Sequence, residues 1–378
     1  MVARIGLRPL LHVVFHARRT GSWAELRVLL RDRLFRAGSN PRAKATAPLP
    51  PLLFQMTSAY WLSQAIYVAA KLGIADLLRD GPRSAAALAS SAGSDPPSLY
   101  RLMRALSSVG IFKQVDQNCF ALSPLAEGLL ADVPGSLRAI VITLGEIHYQ
   151  ACGALLHSVK TGTPSFRKVF GTNLFEHLAQ DTDAGDAFNQ GMANLAVMLA
   201  YAVLLTYDFT RISTIVDVGG GEGRFMEKLL EFYPKLNGTV FDTAPTITEA
   251  LRKLIRRRAQ SRCSYVAGDF FCSVPEGAGA YILSGVMHDW DDDHATAILK
   301  NCRRGIAKNG RLLLLETVVP ASDSMDFSKI LDLNMLAMST GRERTKAEFC
   351  SLLEAAGFKL TRILPTVAPQ SLIEAVPQ

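Results

Sequence analysis

The chain has 378 residues, 49% of them hydrophobic and 20% charged, with a mean hydropathy of +0.16. That length predicts two or three domains, and the composition excludes an intrinsically disordered chain. The formal net charge of +7 is concentrated in one place: residues 1–50 carry Arg4, Arg8, Arg18, Arg19, Arg27, Arg31, Arg33, Arg36, Arg42 and Lys44 against only Glu25 and Asp32, and the remainder is close to neutral. The excess belongs to an N-terminal extension and says nothing about the partners of the main body.

No apolar run reaches the roughly 18–20 residues that cross a bilayer, so no transmembrane segment is expected. Arginines interrupt the apolar patches at the start and no small-residue cleavage site follows them, which argues against a secretory signal. The six cysteines form no CxxC pair and the seven histidines form no HExxH pattern. We read the cysteines as reduced thiols of a cytoplasmic protein and expect no metal site.

In chain order, residues 1–53 form the basic extension, closed by the linker PRAKATAPLPPLL. The extension is expected to pack on its own protein or a partner subunit, or to lie as an amphipathic helix on an acidic surface or membrane. Residues 54–135 read as helix, helix, helix, hairpin. The first helix places Tyr60, Ala65, Val68, Leu72 and Leu77 near one face and stops at Pro82. The second starts at Ser84, and the third opens on Asp95 with two prolines and ends on Gly110. IFKQV and CFALS then alternate around a DQN turn. This is a winged-helix pattern, but residues 56–135 hold six basic and six acidic groups. A DNA reader needs a basic face, so the segment is expected to be a dimerisation module with no nucleic acid partner. Residues 136–210 look helical. From 211 to 378, short apolar runs alternate with helical patterns, which predicts an α/β domain: a Rossmann-like, doubly wound parallel sheet with helices on both faces.

The sharpest motif is IVDVGGGEGRF, in which a buried strand, Ile215–Val218, runs into Gly219, Gly220, Gly221 and Gly223 before a helix. Glycines allow a sharp turn and close approach of a ligand to the backbone. The dinucleotide fingerprint would need glycine at 224, where Arg224 stands, and Asp217 precedes the loop. NAD needs a helix N-terminus open to pyrophosphate. A carboxylate there suits S-adenosyl-L-methionine, which carries an ammonium and a sulfonium and no phosphate. Asp242 ends the second strand, where it can accept from two ribose hydroxyls. In GDFF, Asp269 can accept from an adenine amino group while Phe270 covers the ring. His288 follows the fourth strand and Glu316 ends the fifth. The carboxyl ends of parallel strands share one edge, where ligands bind, so His288 is a general-base candidate. Asp289 and Asp291–Asp293 are expected to cap the next helix.

Together DVGGGEG, FD, GDFF, HDWDD, NGRLLLLE, DLNML and GRERT resemble the class I S-adenosylmethionine-dependent O-methyltransferases of the plant caffeate and acetylserotonin type, in particular the bacterial natural-product tailoring members. The resemblance covers residues 54–378. It implies a winged-helix dimerisation region and hence a homodimer, cofactor contacts from Gly219, Gly221, Asp242, Asp269 and Phe270, His288 as catalytic base, and Glu316 and Glu343 holding and polarising it. It also implies substrate contacts from Met192 in FNQGM, and from Met335 and Met338. Ser284 stands where plant members often place a lysine beside the cofactor, and the family's substrate-binding asparagine has no clear match in AMSTGRERT. The expected reaction is methylation of a hydroxyl on a small, aromatic, secondary-metabolic acceptor. The rivals are a relative with hydroxylase or decarboxylase chemistry on the same scaffold, a winged-helix regulator and an NAD dehydrogenase.

Overall fold

The computed structural model describes residues 49–254 and 262–378. The basic extension, and the last part of the helix expected to run to Ala259, lie outside the described residues. The chain divides into two compact units between Gly145 and Glu146, a boundary inside the helical segment 136–210.

The first unit opens with helices α1 (Leu49–Thr57), α2 (Tyr60–Lys71) and α3 (Ile74–Leu77). The expected single helix is broken at Gly73 (φ +66), well before Pro82. The break changes which face is buried. Ala69 and Ala70 enter the core, while Tyr60 and Val68 are exposed. Strand β1 (Arg83–Ser84) leads into α4 (Ala85–Ala92), capped by Ser84 as its side chain accepts from Ala87 N. Helix α5 (Pro96–Ser108) is capped by Asp95, which accepts from Ser98 N at 2.9 Å. Strands β2 (Phe112–Asp116) and β3 (Cys119–Leu122) form the expected hairpin, and β1 adds to β3 to complete the wing. Ile74, Leu88, Met103, Leu106, Phe112 and Phe120 form its core. On α6 (Arg138–Thr143), Arg138 bonds Ala70 O at 2.9 Å and Asp76 at 3.0 Å, tying that helix to the bundle.

The second unit begins with α7 (Tyr149–Gly153), α8 (Leu155–Thr161), α9 (Ser165–Phe170), α10 (Leu174–Gln180) and α11 (Thr182–Leu204). By length and composition α11 could cross a membrane. Its Ala200 and Val203 instead pack with Phe209, Phe225 and Leu229 in the core. The sheet elements then alternate: β4 (Thr214–Val218), α12 (Arg224–Phe232), β5 (Asn237–Asp242), α13 (Ala244–Leu254), β6 (Cys263–Ala267), β7 (Ala280–Ser284), α14 (Asp292–Gly305), β8 (Arg311–Glu316), β9 (Val318–Val319), α15 (Phe327–Met338), β10 (Arg344–Thr345), α16 (Lys346–Ala355), β11 (Phe358–Pro365) and β12 (Ser371–Pro377).

Seven strands form one sheet in the order β11-β12-β8-β7-β4-β5-β6. Strands β4 to β8 are mutually parallel, whereas β12 runs antiparallel to both β8 and β11. The sheet is therefore mixed at one edge. The short loop between β11 and β12 allows only a hairpin, since a parallel return needs a long crossover. Period-two alternation sends Leu312 and Leu314 to one face with Ile298 and Leu353, and Leu313 and Leu315 to the other with Phe225 and Leu230. Because β5 and β6 build outward on one side of β4 and β7 on the other, the strand order reverses at β4/β7. That is where a doubly wound sheet opens a crevice.

Candidate active site

The glycine run after β4 turns through Gly219 (φ +74), Gly221 (φ +57) and Gly223 (φ +76). A Cβ at Gly220 would lie 2.8 Å from the Asp217 carboxyl, so that position admits no side chain. At Gly221 a Cβ would meet nothing within 4 Å, so the backbone there borders open space. Beneath the loop, Asp217 is buried and neither carboxyl oxygen has a hydrogen-bond partner among the described residues. Burial, and then the nearby Asp242, raise its pKa to about 7. Asp242 ends β5 and accepts from Gly221 N at 2.9 Å and from Thr243 N at 2.7 Å, which fixes its carboxylate beside the loop. Phe270 is half-buried, and its ring edge lies 3.9 Å from where a Gly219 Cβ would sit. Asp269 is exposed and accepts from Phe271 N at 2.8 Å, closing the turn after β6. Ser284 is the last residue of β7, half-buried.

His288 sits on a 3-10 turn, Met287–Asp289, just beyond β7. Its Nδ1 lies 2.8 Å from Glu316 Oε2, while Glu316 Oε1 accepts from Val286 N at 2.9 Å and Met287 N at 2.7 Å. One buried carboxylate at the end of β8 thus holds both the turn and the ring. The Nε2 atom faces Asp289 Oδ1 at 3.7 Å, beyond hydrogen-bond length, and the side chain keeps 27% exposure, enough for a ligand to reach it. Burial opposes a charge on this ring, but Glu316, Asp289 and Glu343 outweigh it and raise the His288 pKa to about 10. Asp289 does not cap the next helix as expected. Asp291 does, accepting from His294 N at 3.0 Å, and Asp289 flanks His288 instead.

Glu343 reaches the cluster because β10 pairs with β9 in parallel, Arg344 opposite Val318, just after Glu316. It makes no hydrogen bond to His288, contrary to the expectation that both glutamates hold the ring. Both its oxygens are buried without a partner among the described residues, and burial raises its pKa to about 7 against the pull of His288. His288, Glu316 and Glu343 each offer a ligand atom within 4.8 Å of the others, a spacing that could hold a cation. Both Glu316 oxygens are already committed to N–H donors, however, so the group reads as a hydrogen-bonded base with a spare acid beside it.

Two residues of the GRERT motif position His288 and were missed in the sequence. Arg344 is fully buried; its guanidinium bonds Met287 O at 2.7 Å, Trp290 O at 2.8 Å and Asp292 Oδ1 at 3.0 and 2.9 Å, clamping both ends of the turn. A Cβ at Gly341 would lie 1.9 Å from His288 O, so only glycine lets that chain pass. The GRERT motif is the signal in the sequence that carries both residues. The three expected substrate methionines differ in their surroundings. Met192 is exposed on α11, Met335 is buried on α15, and Met338 is buried with Ile147, Ala151 and Phe166 in a small core.

A glycine loop after the first strand of a seven-stranded sheet, acidic residues at the next strand ends, and a carboxylate-held histidine define a Rossmann-like methyltransferase. Residues 153–359 match the O-methyltransferase domain model and residues 54–132 the O-methyltransferase dimerisation domain model. The chain belongs to this O-methyltransferase family and is an S-adenosylmethionine-dependent enzyme. It is 41% identical to the phenazine O-methyltransferase PhzM of Lysobacter antibioticus, covering 89% of this chain and 99% of that one. It is 34% identical to the phenazine-1-carboxylate N-methyltransferase of Pseudomonas aeruginosa, covering 82% and 93%. Among solved structures it is similar to the O-methyltransferase NcsB1 from neocarzinostatin biosynthesis, in complex with S-adenosyl-L-homocysteine and 1,4-dihydroxy-2-naphthoic acid. There the TM-score is 0.70 at 32% identity, covering 90% and 100%.

Proposed function

We propose that this enzyme methylates a hydroxyl of a fused-ring aromatic acceptor, of the hydroxyphenazine kind, with His288 as general base. The single observation that carries the reading is the pairing of His288 with buried Glu316 beside the glycine loop. The cofactor supplies an electrophilic methyl group on a sulfonium. The open backbone at Gly221, the unpartnered Asp217 carboxyl and Asp242 at the strand end suit a ligand with an ammonium group and a ribose. Asp269, Phe270 and Ser284 are the further candidates on the same edge. A phenol is a poor nucleophile until its proton leaves, since its pKa is about 10. With Nδ1–H donated to Glu316, His288 presents Nε2 to that proton and the carboxylate stabilises the imidazolium that forms. In the free protein the ring holds its own proton up to about pH 10. It gives that proton up more readily when it faces a cation, so the base-competent ring belongs to the loaded enzyme.

The test is labelled-methyl transfer to hydroxyphenazines by His288→Gln, which keeps size but not basicity. Turnover of a high-pKa acceptor should fall by about 10² or more, and the loss should shrink for acceptors already ionised at the assay pH. Near-normal turnover on the high-pKa acceptor would show that His288 only positions it. We also propose that two copies pair through the dimerisation domain, whose Phe54, Met56 and Trp61 are exposed on α1 and α2.

A further inference from the structure

We propose that His148 is a second recognition group for the acceptor, reading a hydroxyl or N–H donor remote from the hydroxyl that takes the methyl group. The inference rests on the aromatic-acceptor reading above. His148 closes a single π-helical turn, Leu144–His148, between the regular helices α6 and α7. Such turns cost helix geometry and recur at functional sites. Its Nδ1 lies 2.9 Å from Asn334 Oδ1 on α15, and Cys152 Sγ, one turn further along, points to the same oxygen at 4.0 Å. Two donors converging on Oδ1 make it the acceptor, so the His148 proton is on Nδ1 and Nε2 carries a bare lone pair. Burial holds this ring below its ordinary pKa, against the Asn334 bond, which keeps it neutral. Nε2 is itself buried and has no hydrogen-bond partner among the described residues.

A neutral imidazole nitrogen of this kind can only accept. What satisfies it must bring a donor. Helix α15 contacts both His148 and the catalytic cluster: Asn334 holds the Nδ1 side of the ring, and Asp332, two residues earlier, accepts from Glu343 N at 2.9 Å. Met338, on the same helix, packs with Ile147 and Ala151, the apolar residues that bracket His148 in sequence. A flat aromatic with one distant donor matches such surroundings. Sites that hydrogen-bond a substrate group discriminate strongly against the analogue lacking it, because their own polar atom is then left unpaired.

The experiment uses the full chain with S-adenosylmethionine and compares 1-hydroxyphenazine with dihydroxyphenazines whose second hydroxyl lies on the far ring. Wild type should favour at least one dihydroxy compound by roughly tenfold or more in kcat/KM. His148→Phe should lower kcat/KM on that compound at least tenfold more than on 1-hydroxyphenazine, chiefly through KM, and His148→Gln, which retains an acceptor oxygen, should restore part of the preference. A wild type indifferent to the second hydroxyl, or a His148→Phe variant that depresses both acceptors equally, overturns the inference. Imidazole nitrogen NMR separates it from the reaction assignment. If the His148 Nε2 signal moves on adding the dihydroxy compound while no methyl is transferred, recognition stands and the O-methylation reading fails. If the signal does not move, recognition by His148 fails whatever the turnover.

Discussion

Replacing Glu316 by glutamine removes one charge from a buried carboxylate position. Glu316 accepts three hydrogen bonds, from Val286 N, Met287 N and His288 Nδ1. Bonds to a charged acceptor are about twice as strong as neutral ones, so each should weaken by about 1 kcal/mol, giving a loss of roughly 3 kcal/mol in stability. The amide oxygen can keep the two backbone donors. The amide NH2 then faces His288 Nδ1, which must become the acceptor and move its own proton to Nε2. That tautomer cannot take a proton from a hydroxyl. The analogous carboxylate-to-amide change in the serine-protease triad costs about 10⁴ in rate for the same reason, and a fall in kcat of about 10³–10⁴ is expected here. The His288 pKa should also drop from about 10, since burial opposes the charged ring once its main counter-charge is gone. Labelled-methyl transfer gives the rate, thermal unfolding the stability, and imidazole nitrogen NMR the tautomer. A kcat within tenfold of wild type, or a ring still protonated on Nδ1, would refute the reasoning.

Asp242→Ala should weaken S-adenosylmethionine binding by about 2–4 kcal/mol in calorimetry, because it removes charged acceptors and frees Gly221 N; unchanged affinity would move the ribose contact elsewhere. Asp217→Asn should stabilise the cofactor-free protein at high pH. The folded pKa of Asp217 is raised to about 7 from an ordinary 3.8, so its contribution to stability is intact below about pH 3.8 and is lost as pH rises through 7. The neutral amide escapes that loss, so the variant should gain stability on wild type progressively between about pH 3.8 and pH 7 and keep a constant gain of roughly 4 kcal/mol at most above pH 7, and parallel pH curves would contradict the burial argument. Trp61→Asp should give a monomer by light scattering at micromolar concentration, since a charge on the exposed apolar face disfavours its burial; a persistent dimer would place the interface elsewhere.

The parts of this protein that were legible in the sequence are those fixed by local requirements. Ser84 and Asp95 announce helix starts because a short side-chain oxygen satisfies a free N–H three residues on. Gly219, Gly221 and Gly223 announce a tight turn because each takes a positive φ that side chains disfavour, and Asp242, His288 and Glu316 could be placed on one edge because parallel strands all end on the same side. The break at Gly73 was missed because the apolar periodicity runs through it, and the antiparallel β12 was missed because strand direction is not encoded in alternation. Arg344 is a harder case. An arginine is read as surface by default, yet this one is buried because three carbonyl and carboxylate acceptors from another segment surround it.

His148 and Asn334 lie 186 residues apart, and neither residue type nor spacing signals their meeting. The same is true of Glu343, whose position beside Glu316 depends on a two-residue parallel pairing between β9 and β10. In both cases a buried polar atom is left without a partner by tertiary packing. Such an atom is costly in the free protein unless a bound molecule satisfies it. The edge that carries His288 could therefore be inferred from strand ends alone, whereas His148 and the unpaired Glu343 carboxyl become visible only when the buried polar atoms are located in three dimensions.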